Sequence, residues 1–170
     1  MQTLAPGAPV PPIELALLDG STRTLGTRAP HWELLVVYRG RHCPRCKTYL
    51  AALGDKLDEL DELHTDLIVT SADPLEKAQA DRDEFDWTFA LAYGLTIEQT
   101  RTLDLYVSEP ASEQETDRPF AEPGLVLVNP DGAVQVVARS NSASFRPDLD
   151  VVLDGIRGIQ TRGLPVRGRG

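Results

Sequence analysis

The only two cysteines of the chain, Cys43 and Cys46, lie two residues apart in the stretch YRGRHCPRCK, residues 38–47. Two thiols at that spacing can close a structural staple, clip a metal ion, or exchange electrons as a reactive dithiol. Arg39, Arg41, His42, Arg45 and Lys47 surround them, and no acid falls in the same stretch. Elsewhere the chain is acidic: 17 Lys and Arg stand against 26 Asp and Glu, a formal net charge of −9. That balance argues against nucleic acid as a main partner, because phosphate binding needs a basic surface. A thiolate, by contrast, gains from exactly such a local concentration of cations.

The three readings are not equal. A disulfide across C-x-x-C closes a very short loop and removes little entropy from the unfolded chain, so it is a weak staple. A secreted disulfide scaffold would also use more cysteines and spread them out. For a metal clip, HCPRC offers three donors, but the other histidines are His31 and His64 and there is no second C-x-x-C. The metal reading therefore ranks behind the reactive dithiol, and no metal is expected.

The elements that must position the pair follow from pattern. Ile13–Leu25 alternates apolar and polar residues around Asp19-Gly20, a hairpin signal. Leu34–Tyr38 reads as a buried strand. The next segment runs to Leu63 as a helix, with Leu50, Leu53, Leu57 and Leu60 on one face, Pro44 in the first turn and Gly54 as a weak point. Asp66–Ser71 is a second buried strand. Asp73, Pro74 and Glu76 open a helix to about Phe85, with Asp73 as its cap. Phe89–Leu91 is strand-like, and Thr96 with Gln99 marks a capping box before a helix ending near Tyr106.

A polar loop, residues 107–122, follows, long enough to suggest a functional or mobile segment. Two strands then meet at Pro130-Asp131-Gly132. Pro147 opens a last helix with Leu149, Val152, Leu153, Ile156 and Ile159 on one face. The expectation is one α/β domain over residues 1–160 and a flexible tail over 161–170. Its central sheet is mixed, with helices on both faces and an N-terminal β-hairpin. No apolar run is long enough to span a membrane, and the N-terminus does not read as a signal peptide, so the cytoplasm is expected.

In this layout Cys43 stands where a strand ends and a helix begins. Exposed N–H groups there favour an anion, and helix N-termini with nearby cations bring a thiol pKa from about 8.5 to roughly 3.5–7.5. Cys46 lies on the same helical face one turn deeper and should be the more buried. A division of labour follows: Cys43 attacks and Cys46 resolves. His42 either tunes Cys43 or packs at the strand end. Trp32, Tyr38, Tyr49, Trp87 and Phe89 read as core aromatics. Phe120 either caps the dithiol or anchors the loop before Pro123.

PPIELALLDG, LLVVYRGRHCPRCK and EPGLVLVNPDGAVQVV carry a resemblance over most of the chain to the thioredoxin-like superfamily, in its peroxiredoxin-like AhpC/TSA (redoxin) branch. The resemblance implies a thioredoxin-like fold with Cys43 as the nucleophile. Lys47 is similar to the thioredoxin pattern, and Pro123 matches the position of the cis-proline that faces a thioredoxin dithiol, although proline also simply starts strands well. The sequence departs from the peroxiredoxins too. Val36 and Gly40 stand where they carry a proline and a threonine, and Pro123 where they carry an arginine. Those groups hold peroxide, so their absence shifts weight toward disulfide exchange. Arg39 or Arg41 is a candidate substitute facing Cys43; the other reading leaves both as solvated charges.

The expected function is a thiol-dependent oxidoreductase acting on peroxides or protein disulfides. It needs no bound cofactor and draws electrons from a thioredoxin- or glutathione-type thiol donor. No membrane partner is expected, and a homodimer is compatible with the sequence. The alternatives are a redox sensor that forms the Cys43–Cys46 disulfide without turnover, and a metal-binding module.

Overall fold

The computed structural model describes residues 4–27 and 29–169; residues 1–3, 28 and 170, at the margins of or within the expected domain and tail, lie outside it. The first alternating segment folds as a hairpin. β1 (Ile13–Leu17) and β2 (Thr22–Leu25) pair antiparallel, with Ile13 opposite Leu25. The turn between them needs a positive φ, which Gly20 supplies at 86°. The Asp19 carboxylate closes it by accepting the Ser21 N–H and hydroxyl.

β3 (Trp32–Val37) is an interior strand, and after Trp32 every residue is buried. Such a run needs a layer on each face of the sheet. It pairs parallel with β4 (Thr65–Thr70) and antiparallel with β8 (Gly124–Val128). The sheet continues on one side through β5 (Ala90–Tyr93), β1 and β2. On the other it ends at β9 (Val134–Arg139), joined to β8 by the turn at Pro130-Asp131-Gly132.

The helices divide unequally between the faces. Leu34, Val36, Leu67, Val69, Leu125 and Leu127 pack against α1 (Pro44–Gly54), α2 (Leu57–Glu62), α3 (Leu75–Phe85) and α5 (Leu149–Arg162). On the opposite face Leu35, Val37, Ile68 and Val126 meet the inner residues of β1 and β2, the N-terminal Leu4 and Val10, and Leu103 at the end of α4 (Ile97–Thr102). Trp87 joins the first layer through ring contacts with Tyr38, Phe85 and Phe89, so these aromatics are core.

Several local expectations change. The single helix from Pro44 to Leu63 is two helices, broken at Asp55-Lys56 just after Gly54, the poorest helix former in the run after the opening proline. Asp73 does not cap α3; Pro74 holds the cap position without a side-chain bond, and the Asp73 carboxyl is used elsewhere. The loop over residues 107–122 begins and ends in a short ladder, β6 (Val107–Ser108) with β7 (Phe120–Ala121), and ion pairs from Arg39 and Lys77 hold its middle. The capping box at Thr96 and Gln99 is present in full, with both reciprocal bonds. α5 runs to Arg162, past the expected start of the tail, and Gly163 caps it in the left-handed conformation.

Leu50 is fully buried on α1, one turn beyond Cys46. Leu50→Ala should cost about 2–5 kcal/mol of stability, the usual range for a core leucine truncation. Urea unfolding followed by circular dichroism reads it, and a midpoint equal to that of the parent would contradict this view of the core.

Candidate active site

The C-terminal end of β3 delivers the cysteines. Tyr38 continues the strand with its N–H on the Thr70 carbonyl, and the chain then turns sharply through Gly40 to reach Cys43. Gly40 has φ 127°, a region closed to ordinary side chains. The turn is held by Asp73, 3% exposed, whose carboxyl accepts the Arg41 N–H at 2.6 Å. A Cβ at position 40 would lie 2.7 Å from the same carboxyl oxygen. Gly40 and Asp73 therefore fit each other, and the space a threonine side chain would need is already filled.

Cys43 is the N-cap of α1, and Pro44 occupies the first turn, where its missing N–H costs nothing. The Cys43 Sγ accepts the Cys46 N–H at 3.3 Å, so the sulfur caps the helix. This is the partial positive charge expected at a strand–helix junction, delivered directly to the sulfur. The two sulfurs are in disulfide contact, with Cα atoms 5.3 Å apart. Cys46 is the deeper of the pair at 0% exposure, but Cys43 is also buried at 2%.

The cations around the pair are distributed differently from what their spacing suggests. Arg39 pairs with Glu115 at 3.2 Å and Glu122 at 3.4 Å and lies over the Phe120 ring. Arg41 pairs with Asp81 at 2.6 Å and Glu84 at 2.5 Å. Lys47 sits over the Phe85 ring, and Arg45 is exposed on the rim of a groove between α1 and the start of α5. Acids distant in sequence thus take up Arg39 and Arg41, and neither arginine is given a bond to a sulfur.

The guanidinium on the dithiol belongs to Arg146, in the loop before α5. Its Nη2 donates to the Cys46 Sγ at 2.7 Å. It rests on the Tyr49 ring, 5.0 Å from the centroid, and Tyr49 in turn donates its hydroxyl to the Pro147 carbonyl at 2.9 Å. Burial pushes the Tyr49 pKa up to about 12, which keeps that hydroxyl a donor through the neutral range. The sequence reading missed Arg146, Asp73 and Glu122. Arg146 and Cys46 are 100 residues apart, and nothing local marks the arginine except its position before the proline that precedes α5.

His42 does not reach a sulfur by hydrogen bond. Its ring packs on Phe120 with centroids 4.7 Å apart, and both ring nitrogens are buried without a hydrogen-bond partner among the described residues. Burial, with Arg39 adding to it and Asp73 opposing, pushes its pKa down. Phe120 is 1% exposed and anchors the loop against His42 and Arg39. Pro123 has a trans peptide bond, since there is no cis bond among the described residues, and it leads directly into β8. Among the described residues no group of three or more His, Cys, Asp or Glu is placed to hold a metal; His31 pairs with Asp66 at 2.9 Å, and His42 faces Phe120.

A model of the AhpC/TSA family matches residues 6–137. Among solved structures the chain is similar to the peroxidoxin BcpB of Mycobacterium tuberculosis, with a TM-score of 0.74 and 19% identity over 92% of this chain and 98% of that one. It is similar to AhpC of Mycobacterium bovis with a TM-score of 0.78 and 18% identity over 98% of each chain. A peroxiredoxin-like protein from Aquifex aeolicus gives a TM-score of 0.78 at 14% identity, over 94% of this chain and 90% of that one. At these identities the structural likeness establishes the thioredoxin-like fold. No match was found among curated protein sequences.

Two outcomes test the site's construction. Gly40→Thr should lower stability by about 2 kcal/mol or more, from a backbone forced into a glycine region and a collision with Asp73; a thermal midpoint equal to the parent's would refute the fit. For His42 the folded pKa lies below the unfolded value of about 6.5, so its contribution is complete above that pH. As pH falls below about 6.5 the unfolded chain takes up the proton first, and stability drops. Urea midpoints between neutral and mildly acidic pH should therefore fall less steeply in His42→Phe than in the parent; identical slopes would count against a buried neutral ring.

Proposed function

Because the chain belongs to the AhpC/TSA family, we propose that its thiol-dependent oxidoreductase chemistry is the reduction of a peroxide through the Cys43–Cys46 pair. The observation that carries this reading is the capping bond: a helix amide donates to the Cys43 sulfur while Cys46 lies in disulfide contact with it. The amide favours the thiolate form of Cys43, and the thiolate is the nucleophile. It attacks one peroxide oxygen, the O–O bond breaks, and the departing oxygen takes a proton to leave as water or alcohol. Cys43 is then a sulfenic acid. The Cys46 thiolate attacks that sulfur, hydroxide leaves and is protonated, and the disulfide closes. A dithiol donor of the thioredoxin type, or two thiols of the glutathione type, returns two electrons.

In this reading Arg39, Arg41, His42, Pro44 and Pro123 are supports. Pro44 starts α1, Arg41 ties the turn to α3 through Asp81, and Arg39 holds the loop over residues 107–122 beside His42. Pro123 sets the start of β8, which pairs with β3. No helix among the described residues is long and apolar enough to cross a membrane. We place the reaction in the cytoplasm, where reducing thiols are supplied.

Disulfide exchange is the second reading, and one observation favours it. Asp73 fills the space beside Gly40, so no hydroxyl stands there to orient a peroxide. Parallel assays separate the two: hydrogen peroxide consumption and insulin-disulfide reduction, each driven by a thioredoxin-type donor. Peroxide turnover should be lost in Cys43→Ser. In Cys46→Ser, Cys43 should be oxidised once and then stall as the sulfenic acid, which a dimedone-type trap reads. Insulin reduction without peroxide turnover would replace the first reading by the second, and activity surviving in Cys43→Ser would overturn both.

A further inference from the structure

The capping amide serves Cys43, but the strongest charge at the dithiol serves the other sulfur. Arg146 places one guanidinium nitrogen 2.7 Å from the Cys46 Sγ, and its second donates to the Ala143 carbonyl at 3.0 Å. The face of the guanidinium lies over Tyr49. None of these described partners is an acid, unlike those of Arg39 and Arg41. A half-buried guanidinium keeps its charge, and burial without a counter-ion is costly. Among the groups in direct contact with the guanidinium, the one able to carry a compensating charge is the Cys46 sulfur, as a thiolate; Glu122 also acts on Arg146 but is paired with Arg39.

We propose that Arg146 is a catalytic residue for reopening the disulfide: it receives Cys46 as the departing thiolate and thereby directs the incoming thiol to Cys43. The inference rests on the dithiol reading and adds the direction of its regeneration. The donor thiolate attacks the Cys43 Sγ, forming a mixed disulfide there. The Cys43–Cys46 bond breaks and its electron pair goes to the Cys46 Sγ, beside the Arg146 guanidinium. The donor's second thiol, as thiolate, then attacks the donor sulfur of the mixed disulfide. That releases the Cys43 thiolate to the helix amide and leaves the donor oxidised. Lower basicity in the leaving sulfur speeds the first of these steps.

The geometry that fixes Arg146 is independent of the disulfide. Tyr49 carries the guanidinium on its ring and holds the adjoining Pro147 carbonyl through its hydroxyl. The neighbouring ionisable groups that act on Arg146 are Tyr49, Arg39 and Glu122. Arg39 and Glu122 pair with each other, and Tyr49 is protonated in the neutral range. Cys43 is the remaining titratable group at the sulfur, which is why it is removed in the test below.

The test uses the full chain with Cys43→Ser as background, leaving Cys46 as the sole thiol. Its thiolate is titrated by absorbance near 240 nm, with and without Arg146→Met. The midpoint should rise by about one unit when the guanidinium is removed, as expected for loss of an adjacent cation. In the chain with both cysteines, opening of the disulfide by dithiothreitol should slow about threefold or more in Arg146→Met. Arg146→Gln keeps a polar side chain without the charge and should give the same two changes, which covers the case in which the methionine variant does not fold. Equal titration midpoints and equal opening rates in parent and charge-free variants would overturn the assignment. Neither readout involves peroxide, so loss of the peroxidase reading would leave this result standing by itself.

Discussion

Everything at the dithiol hangs on one buried carboxyl. Asp73, at the end of the segment that follows β4, accepts the Arg41 N–H and fills the space next to Gly40. That bond sets how the chain leaves β3, and so where Cys43 meets the first turn of α1. Both halves of the arrangement are needed. A side chain at position 40 would displace the carboxyl, and without the carboxyl the turn would lose the acceptor for a backbone N–H in a largely dry setting. The parallel pairing of β3 with β4 brings the two segments together, so the site is assembled by the sheet rather than by the C-x-x-C stretch alone.

The electrostatics follow the same logic. Four cations cluster in sequence around the cysteines, and it is natural to assign their field to the sulfurs. The fold brings Asp81 and Glu84 from α3 to Arg41, and Glu115 and Glu122 from the long loop to Arg39. These pairs spend the charge on fastening elements to one another. What the sulfurs receive is shorter-ranged: an amide for Cys43 and a guanidinium for Cys46. A hydrogen bond made directly to the sulfur is worth more there than a cation already matched with a carboxylate.

Much of the fold can be read from local pattern. The hairpins at Asp19-Gly20 and Pro130-Asp131-Gly132, the buried β3 and β4, the Thr96–Gln99 capping box and the placement of Cys43 at a strand–helix junction all follow from periodicity and turn chemistry. These features depend on residues close in sequence. The features that escape are those that local signals cannot report. Asp73 has the type and spacing of a helix cap, but a tertiary demand for its carboxyl overrides that use. The break at Asp55-Lys56 falls within a continuous leucine pattern, because both helices bury their leucines on the same layer. Arg146 meets Cys46 only because α5 returns across the face that α1 covers. Pairings of that kind are consequences of topology, and a single sequence carries no local mark of them.

The spacing of the two cysteines has one further consequence. Their Cα atoms are 5.3 Å apart, a separation that suits both a disulfide and an ordinary turn of helix. The backbone of α1 can therefore serve the oxidised and reduced pair alike, without unwinding. Gaining or losing two electrons then changes the local potential much more than the outline of the molecule.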